Sequence, residues 1–177
     1  MLRIIGGRFK GRTLPSPPGR TVRPTMARIR ESLFQRLETQ INGCRFLDLF
    51  AGSGIMGLEA LSRNAAFLLA VDSNRQQIKH LHEAFETLGI GPDEAKAIVM
   101  DACALIKRQN REAPFDVIFV DPPYGKVKLD KVIQDLDTNG WLTPESLLIV
   151  EHERRESIPD GFTSYEFGDT IIAIREP

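Results

Sequence analysis

From Cys44 onward the chain alternates short apolar runs with amphipathic stretches, and that alternation leaves few folds open. Residues 45–50 read as a strand, 54–63 as a helix, 67–72 as a strand, and 74–88 as a helix stopped by Gly89. Strand 97–100, helix 102–110, strand 116–120, helix 129–138 and strand 146–151 continue the pattern. Two strands, 163–167 and 170–175, turn around Gly168-Asp169. Such a chain folds as an α/β, doubly wound, mostly parallel seven-stranded sheet whose ligands bind at the carboxyl ends of the strands. Ahead of it, Arg3-Ile4-Ile5, Gly6-Gly7 and a basic stretch to Leu14 suggest a small hairpin, and Pro15 to Pro24 a linker. Thr25 then caps a helix whose Ile29, Leu33, Phe34, Leu37 and Ile41 share one face. The 177 residues suit a single domain burying about 70% of its unfolded surface. Residues 1–24 form a basic arm and linker, and 25–177 the core.

Asp48, Asp72, Asp101 and Asp121 all fall at carboxyl ends of these strands, a crowding that stability does not explain and that marks a functional crevice. After the strand ending in Val120, Asp121-Pro122-Pro123-Tyr124 is a stiff turn. Two prolines fix φ and remove two backbone donors, so its carbonyls stay free for a ligand. Asp121 and the Pro122 carbonyl can accept N–H bonds from an exocyclic amino group while Tyr124 stacks on the ring that carries it. Upstream, Ala51-Gly52-Ser53-Gly54-Ile55-Met56-Gly57 is a glycine turn opening a helix. Gly52, Gly54 and Gly57 fit a dinucleotide fingerprint, with Asp72 at the distance of a ribose-binding carboxylate, so a nicotinamide enzyme has to be weighed. Asp48 argues against it. A carboxylate just before the glycine turn suits the methionine ammonium of S-adenosylmethionine and repels a pyrophosphate. Capping is a weak alternative for Asp72, because Ser73 with Gln76 already supplies a capping box.

Charge is unevenly placed. Residues 1–36 carry Arg3, Arg8, Lys10, Arg12, Arg20, Arg23, Arg28, Arg30 and Arg36 against Glu31 alone, a balance of +8 in a chain of net charge −1. The remainder therefore holds −9, and the first segment is the part suited to a polyanion. Arginine forks match phosphates, and with only Phe9 and Phe34 nearby the expected contact is with backbone and shape. Cys44 and Cys103 read as reduced core thiols of a cytoplasmic protein, and His80, His82 and His152 form no metal set. No run of 18 apolar residues and no signal-peptide pattern occurs, so neither a membrane nor export is expected.

Asp48 to Ala51 with Gly52-Ser53-Gly54, Asp72, Asp101-Ala102 and Asp121-Pro122-Pro123-Tyr124, in that order, resemble the motifs of Rossmann-like, class I S-adenosylmethionine-dependent methyltransferases. Arg3-Ile4-Ile5-Gly6-Gly7, Arg23-Pro24-Thr25, Arg28-x-Arg30-Glu31-x-Leu33-Phe34 and Gly57-Leu58-Glu59-Ala60-Leu61-Ser62-Arg63 are more specific. They resemble the bacterial family that methylates the 2-amino group of one guanine in 16S ribosomal RNA, over nearly the whole chain. The resemblance implies S-adenosylmethionine as cofactor and 16S rRNA, within the assembled small subunit, as partner of a monomer. It places Asp48, Ala51, Gly52 and Gly54 around the cofactor, Asp72 with Ser73 at the ribose hydroxyls and Asp101 with Ala102 at the adenine. Thr25 and Arg28 close the methionine end or serve as cap and solvated face. Asp121, Pro122 and Tyr124 are the expected catalytic set, and Arg3, Arg8, Lys10, Arg12 and Arg23 the RNA contacts. An adenine or protein-glutamine amino-methyltransferase shares the turn, although DNA enzymes of that kind usually add a recognition domain. A non-enzymatic RNA-binding module with a vestigial pocket predicts decay of the acidic strand ends, and all four are present.

Overall fold

The structure, a computed structural model, describes residues 1–15, 24–123 and 125–177, without the side chains of Pro24, Thr25 and Met26. Strands β1 (Leu2–Arg3) and β2 (Thr13–Leu14) pair antiparallel as the expected hairpin, bridged by a 3-10 turn at Gly7–Phe9. Helices α1 (Pro24–Arg36) and α2 (Glu38–Ile41) follow. Thr25 lies inside the first turn of α1 and is not its cap. The core then runs β3 (Arg45–Leu49), α3 (Ile55–Ser62), β4 (Phe67–Asp72), α4 (Arg75–Leu88), β5 (Ala95–Val99), α5 (Ala102–Ile106) and β6 (Val117–Val120). It closes with α6 (Leu129–Thr138), β7 (Leu147–Glu153), β8 (Thr163–Phe167) and β9 (Thr170–Arg175).

The seven-stranded sheet has the order β5-β4-β3-β6-β7-β9-β8. Strands β3 to β7 are parallel, and β9 pairs antiparallel with both β7 and β8. Every residue of β6 is buried, as a strand covered on both faces by helices requires. One apolar cluster joins α1, α3 and α4 to one face through Phe34, Phe46, Leu58, Leu68 and Phe119. A second joins α5 and α6 to the other through Leu47, Val71, Ile106, Ile118 and Leu136. Each fully buried Leu, Ile or Phe contributes about 1.5–3 kcal/mol. Strands β3 and β6 run parallel, but successive strands are laid to one side of β3 as far as β5 and to its other side from β6 on, and this switch in strand order opens a crevice at the carboxyl ends of β3 and β6.

Several bounds differ from the sequence pattern. Helix α5 ends at Ile106 because the next residues bond elsewhere: Asn110 N–H donates to the Asn139 carbonyl at 2.8 Å and the Trp141 indole to the Arg108 carbonyl at 3.0 Å. The apolar face from Ile29 to Ile41 is buried as expected, but the helix breaks at Leu37. Asn74, not Ser73, caps α4, its side chain accepting from Gln76 and Gln77 N–H.

Candidate active site

The glycine turn forms where β3 must leave the sheet within a few residues. Phe50 takes φ +62°, a left-handed conformation that a bulky side chain rarely holds and that concentrates at functional sites. Ala51 N–H then donates to the Val71 carbonyl at 2.9 Å, and Gly54, at φ +70°, precedes α3. A Cβ on Gly54 would lie 2.5 Å from Leu81, so glycine is required there for space as well as conformation.

Asp48 is 1% exposed on β3, and one carboxylate oxygen accepts from Gly57 N–H at 3.1 Å. Burial pushes its carboxyl up to about 7; the Gly57 bond opposes this, and the charges of Asp121 and Asp72 add to it. A buried acid so placed gains from a cation, as an ammonium would supply. A Cβ on Gly57 would meet Leu68 at 2.6 Å and the Asp48 carboxylate at 3.3 Å, so glycine is what lets α3 approach this acid.

Asp72 fastens two turns together. One oxygen accepts from Gly52 N–H and the other from Asn74 N–H, each at 2.7 Å. Its oxygens keep lone pairs for hydroxyls of a ligand, and Ser73 is exposed beside it. Asp101 caps α5 by accepting from Ala104 N–H at 2.7 Å, with Ala102 buried behind it. Capping is therefore a structural task of Asp101, whatever it offers a ligand.

The proline turn leaves β6 beside β3, with Asp121 N–H donating to the Leu49 carbonyl at 3.4 Å. Asp121 is half-buried and Pro122 buried. The Pro123 carbonyl accepts from Lys126 N–H at 3.2 Å, so this carbonyl, expected free for a ligand, closes the turn instead. Gly125 N–H donates to the Glu156 carboxylate at 3.3 Å, tying the turn to the segment after β7. Tyr124 lies outside the described residues. Sequence reasoning missed Glu151, 4% exposed on β7. Val150 pairs with Val120, so Glu151 stands level with Asp121 on the adjacent strand. Its signal was the one used for the others: an acid ending an apolar run.

The basic arm is divided in its uses. Arg3, Lys10, Arg12 and Arg28 are exposed. Arg8 pairs with Glu94 and lies 4.6 Å from the Phe9 ring centre, which leaves less of it for RNA than its charge implied. Arg30 is buried: Nε donates to Glu59 at 3.1 Å and Nη2 to the Arg3 carbonyl at 2.9 Å. Glu59, wholly buried on α3, also accepts from Ile5 N–H at 2.8 Å and pairs with Arg63. Ser62 accepts from Phe9 N–H at 2.9 Å, so the arm is knitted onto the helix that leaves the glycine turn. Arg23, and the side chain of Thr25, lie outside the described residues. Among the described residues no group of three or more His, Cys, Asp and Glu side chains is disposed to hold a metal, and no helix is long and apolar enough to cross a membrane.

A doubly wound sheet with a glycine turn and acids at successive carboxyl ends defines a Rossmann-like, S-adenosylmethionine-dependent methyltransferase. Residues 2–170 match the family model described as conserved hypothetical protein 95, and the chain belongs to that family. It is 40% identical over 158 residues to ribosomal RNA small subunit methyltransferase D of Escherichia coli K12, covering 89% of this chain and 78% of that protein. The protein of the same name from Haemophilus influenzae is 34% identical over 164 residues, covering 92% and 85%. A solved structure, "Putative methyltransferase yhhF from Escherichia coli", superimposes with a TM-score of 0.87 at 36% identity, covering 99% of this chain and 98% of that one.

Proposed function

We propose that this chain transfers a methyl group from S-adenosylmethionine to the 2-amino group of one guanine in 16S ribosomal RNA of the small subunit. The observation that carries the proposal is the half-buried Asp121 on its proline turn, beside Asp48 at the switch in strand order, in a chain whose relatives are named small-subunit rRNA methyltransferases. Bound S-adenosylmethionine supplies a sulfonium methyl to a nucleophile. Asp48 fits its ammonium end, Asp72 with Ser73 its ribose, Asp101 with Ala102 its adenine, and backbone at Ala51, Gly52 and Gly54 allows close approach. Arg28 and Thr25 close the methionine end.

An aromatic amino group is a poor nucleophile because its lone pair is spread into the ring. Asp121 and the Pro122 carbonyl accept its two N–H bonds, which aims the lone pair at the methyl and favours a pyramidal nitrogen. Tyr124 stacks on the flipped base, at about 1–3 kcal/mol. Methyl transfer would leave the nitrogen with a surplus proton, which Asp121 would take or pass on to water. Guanine suits a pocket of acceptors, since its 2-amino group lies beside a ring N–H donor, whereas adenine presents an acceptor nitrogen there. Arg3, Lys10, Arg12 and Arg23, with Arg8 in part, bind phosphates. The whole chain acts as one domain and a monomer, on assembled small subunits.

Digestion of small-subunit RNA methylated in vitro should yield 2-methylguanosine from one site, with assembled subunits a better substrate than naked RNA. Finding 6-methyladenosine, or no product from either substrate, overturns the assignment.

A further inference from the structure

Far from the crevice, at the amino ends of β4 and β5, a cleft of about 540 Å³ lies in the α5 face of the sheet. It exists because α5 is only Ala102–Ile106 and leaves Phe67, Leu69 and Ile98 half-buried. Leu105, Phe115 and Trp141 complete an apolar floor. Around it stand Lys96, Arg108 and Arg111 against Glu112. None of the ion pairs among the described residues uses these three cations. Lys96 Nζ is 5.9 Å from the Phe67 ring centre. The rim is also held in place: Asn110 N–H and side chain donate to the Asn139 and Gly140 carbonyls, and the Trp141 indole N–H to the Arg108 carbonyl.

Residues 37–177 carry a net −9, so a cluster of cations without carboxylate partners, over half-exposed apolar surface, runs against the charge of its surroundings. Aromatic floor and cationic rim together match a nucleotide, whose base is planar and apolar on its faces and whose phosphates are anionic. An acidic peptide satisfies the rim and leaves the floor wet.

We propose that this cleft is a second RNA contact, taking one single-stranded nucleotide of the substrate with its base on the Phe67, Leu69 and Ile98 floor and its phosphates on Lys96, Arg108 and Arg111. The proposal rests on ribosomal RNA being the substrate. Strand β4 spans roughly 15–20 Å, so the contact lies that far from Asp121 and anchors RNA flanking the target base.

Trp141 is the chain's single tryptophan and reports on the cleft directly. A decauridylate should quench its fluorescence saturably in the full-length protein. The triple variant K96Q/R108Q/R111Q should lose that quenching and bind in-vitro-transcribed small-subunit RNA with a log affinity against log salt slope reduced by about 2, at about 0.7 per lost single-strand contact. Its KM for RNA should rise at least tenfold, with kcat and the calorimetric affinity for S-adenosylmethionine unchanged. Unaltered quenching and slope would overturn the proposal. So would a loss confined to assembled subunits with naked RNA bound normally, because that identifies a protein partner. Quenching that the variant abolishes, in a wild-type protein that methylates no ribosomal RNA, would sustain the cleft and sink the substrate assignment.

Discussion

Replacing Glu59 by alanine should destabilise the protein more than any other single surface-remote change near the arm. Glu59 is wholly buried and serves Ile5 N–H, Arg30 and Arg63 at once. Burial draws the Arg30 guanidinium below its ordinary value, while the Glu59 charge and hydrogen bond push it back. Without Glu59, Arg30 is a buried cation with, among the described residues, only the Arg3 carbonyl to hold it. Breaking one side of a buried pair costs about 3–5 kcal/mol, and the orphaned Ile5 N–H adds to the same loss without summing fully. Against a total stability of roughly 5–15 kcal/mol, about 4 kcal/mol should lower Tm by about 8–16 °C in a chain of this size. Urea unfolding followed by circular dichroism measures the loss. The double variant Arg30→Met with Glu59→Leu removes both charges and should recover most of it. A cost below about 1 kcal/mol for Glu59→Ala, or a double variant as weak as the single one, would refute the account.

Asp121→Ala should leave calorimetric S-adenosylmethionine affinity within about twofold and cut methyl transfer by at least about a hundredfold, because its contact strengthens only as the amino nitrogen pyramidalises; equal losses in both readouts would contradict this. Asp72→Ala should weaken the cofactor by about 1–3 kcal/mol in calorimetry and also lower the urea midpoint, since Gly52 and Asn74 N–H lose their acceptor. For Asp48, with its carboxyl pushed up to about 7, the folded chain holds the neutral acid between about pH 4 and 7 while the unfolded chain is ionised. Stability without cofactor should therefore fall as pH rises across that window, by up to about 4 kcal/mol, and Asp48→Asn should abolish the fall.

The strands were legible because burial on both faces leaves continuous apolar runs, and the hairpin 163–167 and 170–175 was read to the residue. What local pattern could not carry was decided by partners distant in sequence. Helix α5 is cut short by bonds to Asn139 and Gly140, 29 and 30 residues away from Asn110. Arg30 and Arg8 count toward the arm's charge, yet their partners lie 29 and 86 residues along. Counting charge could not reveal that these two cations are committed within the fold. The acidic strand ends of the site were visible because each follows an apolar run; Glu151 ends such a run too, at the close of the strand read over 146–151, and was passed over although the same signal marked it.

The arm and the crevice are joined through one helix, and that changes how any arm deletion is read. Removing residues 1–14 takes away exposed Arg3, Lys10 and Arg12, but it also strips Glu59 of Ile5 N–H, Ser62 of Phe9 N–H and Arg30 of the Arg3 carbonyl. Helix α3 starts directly after Gly54 and carries Gly57, whose N–H holds Asp48. A loosened α3 therefore relaxes the seat of the very carboxylate that the cofactor's ammonium neutralises. Cofactor binding works in the opposite sense: by favouring ionised Asp48 it strengthens the Gly57 bond and firms the platform on which the arm is laid. The two ligands then assist each other, each gaining what the other has already ordered. Calorimetry of S-adenosylmethionine with and without bound small-subunit RNA should show at least about a threefold gain in affinity, lost in Glu59→Gln. Equal affinities in the unaltered chain would mean that α3 is rigid enough alone and that arm and crevice act independently.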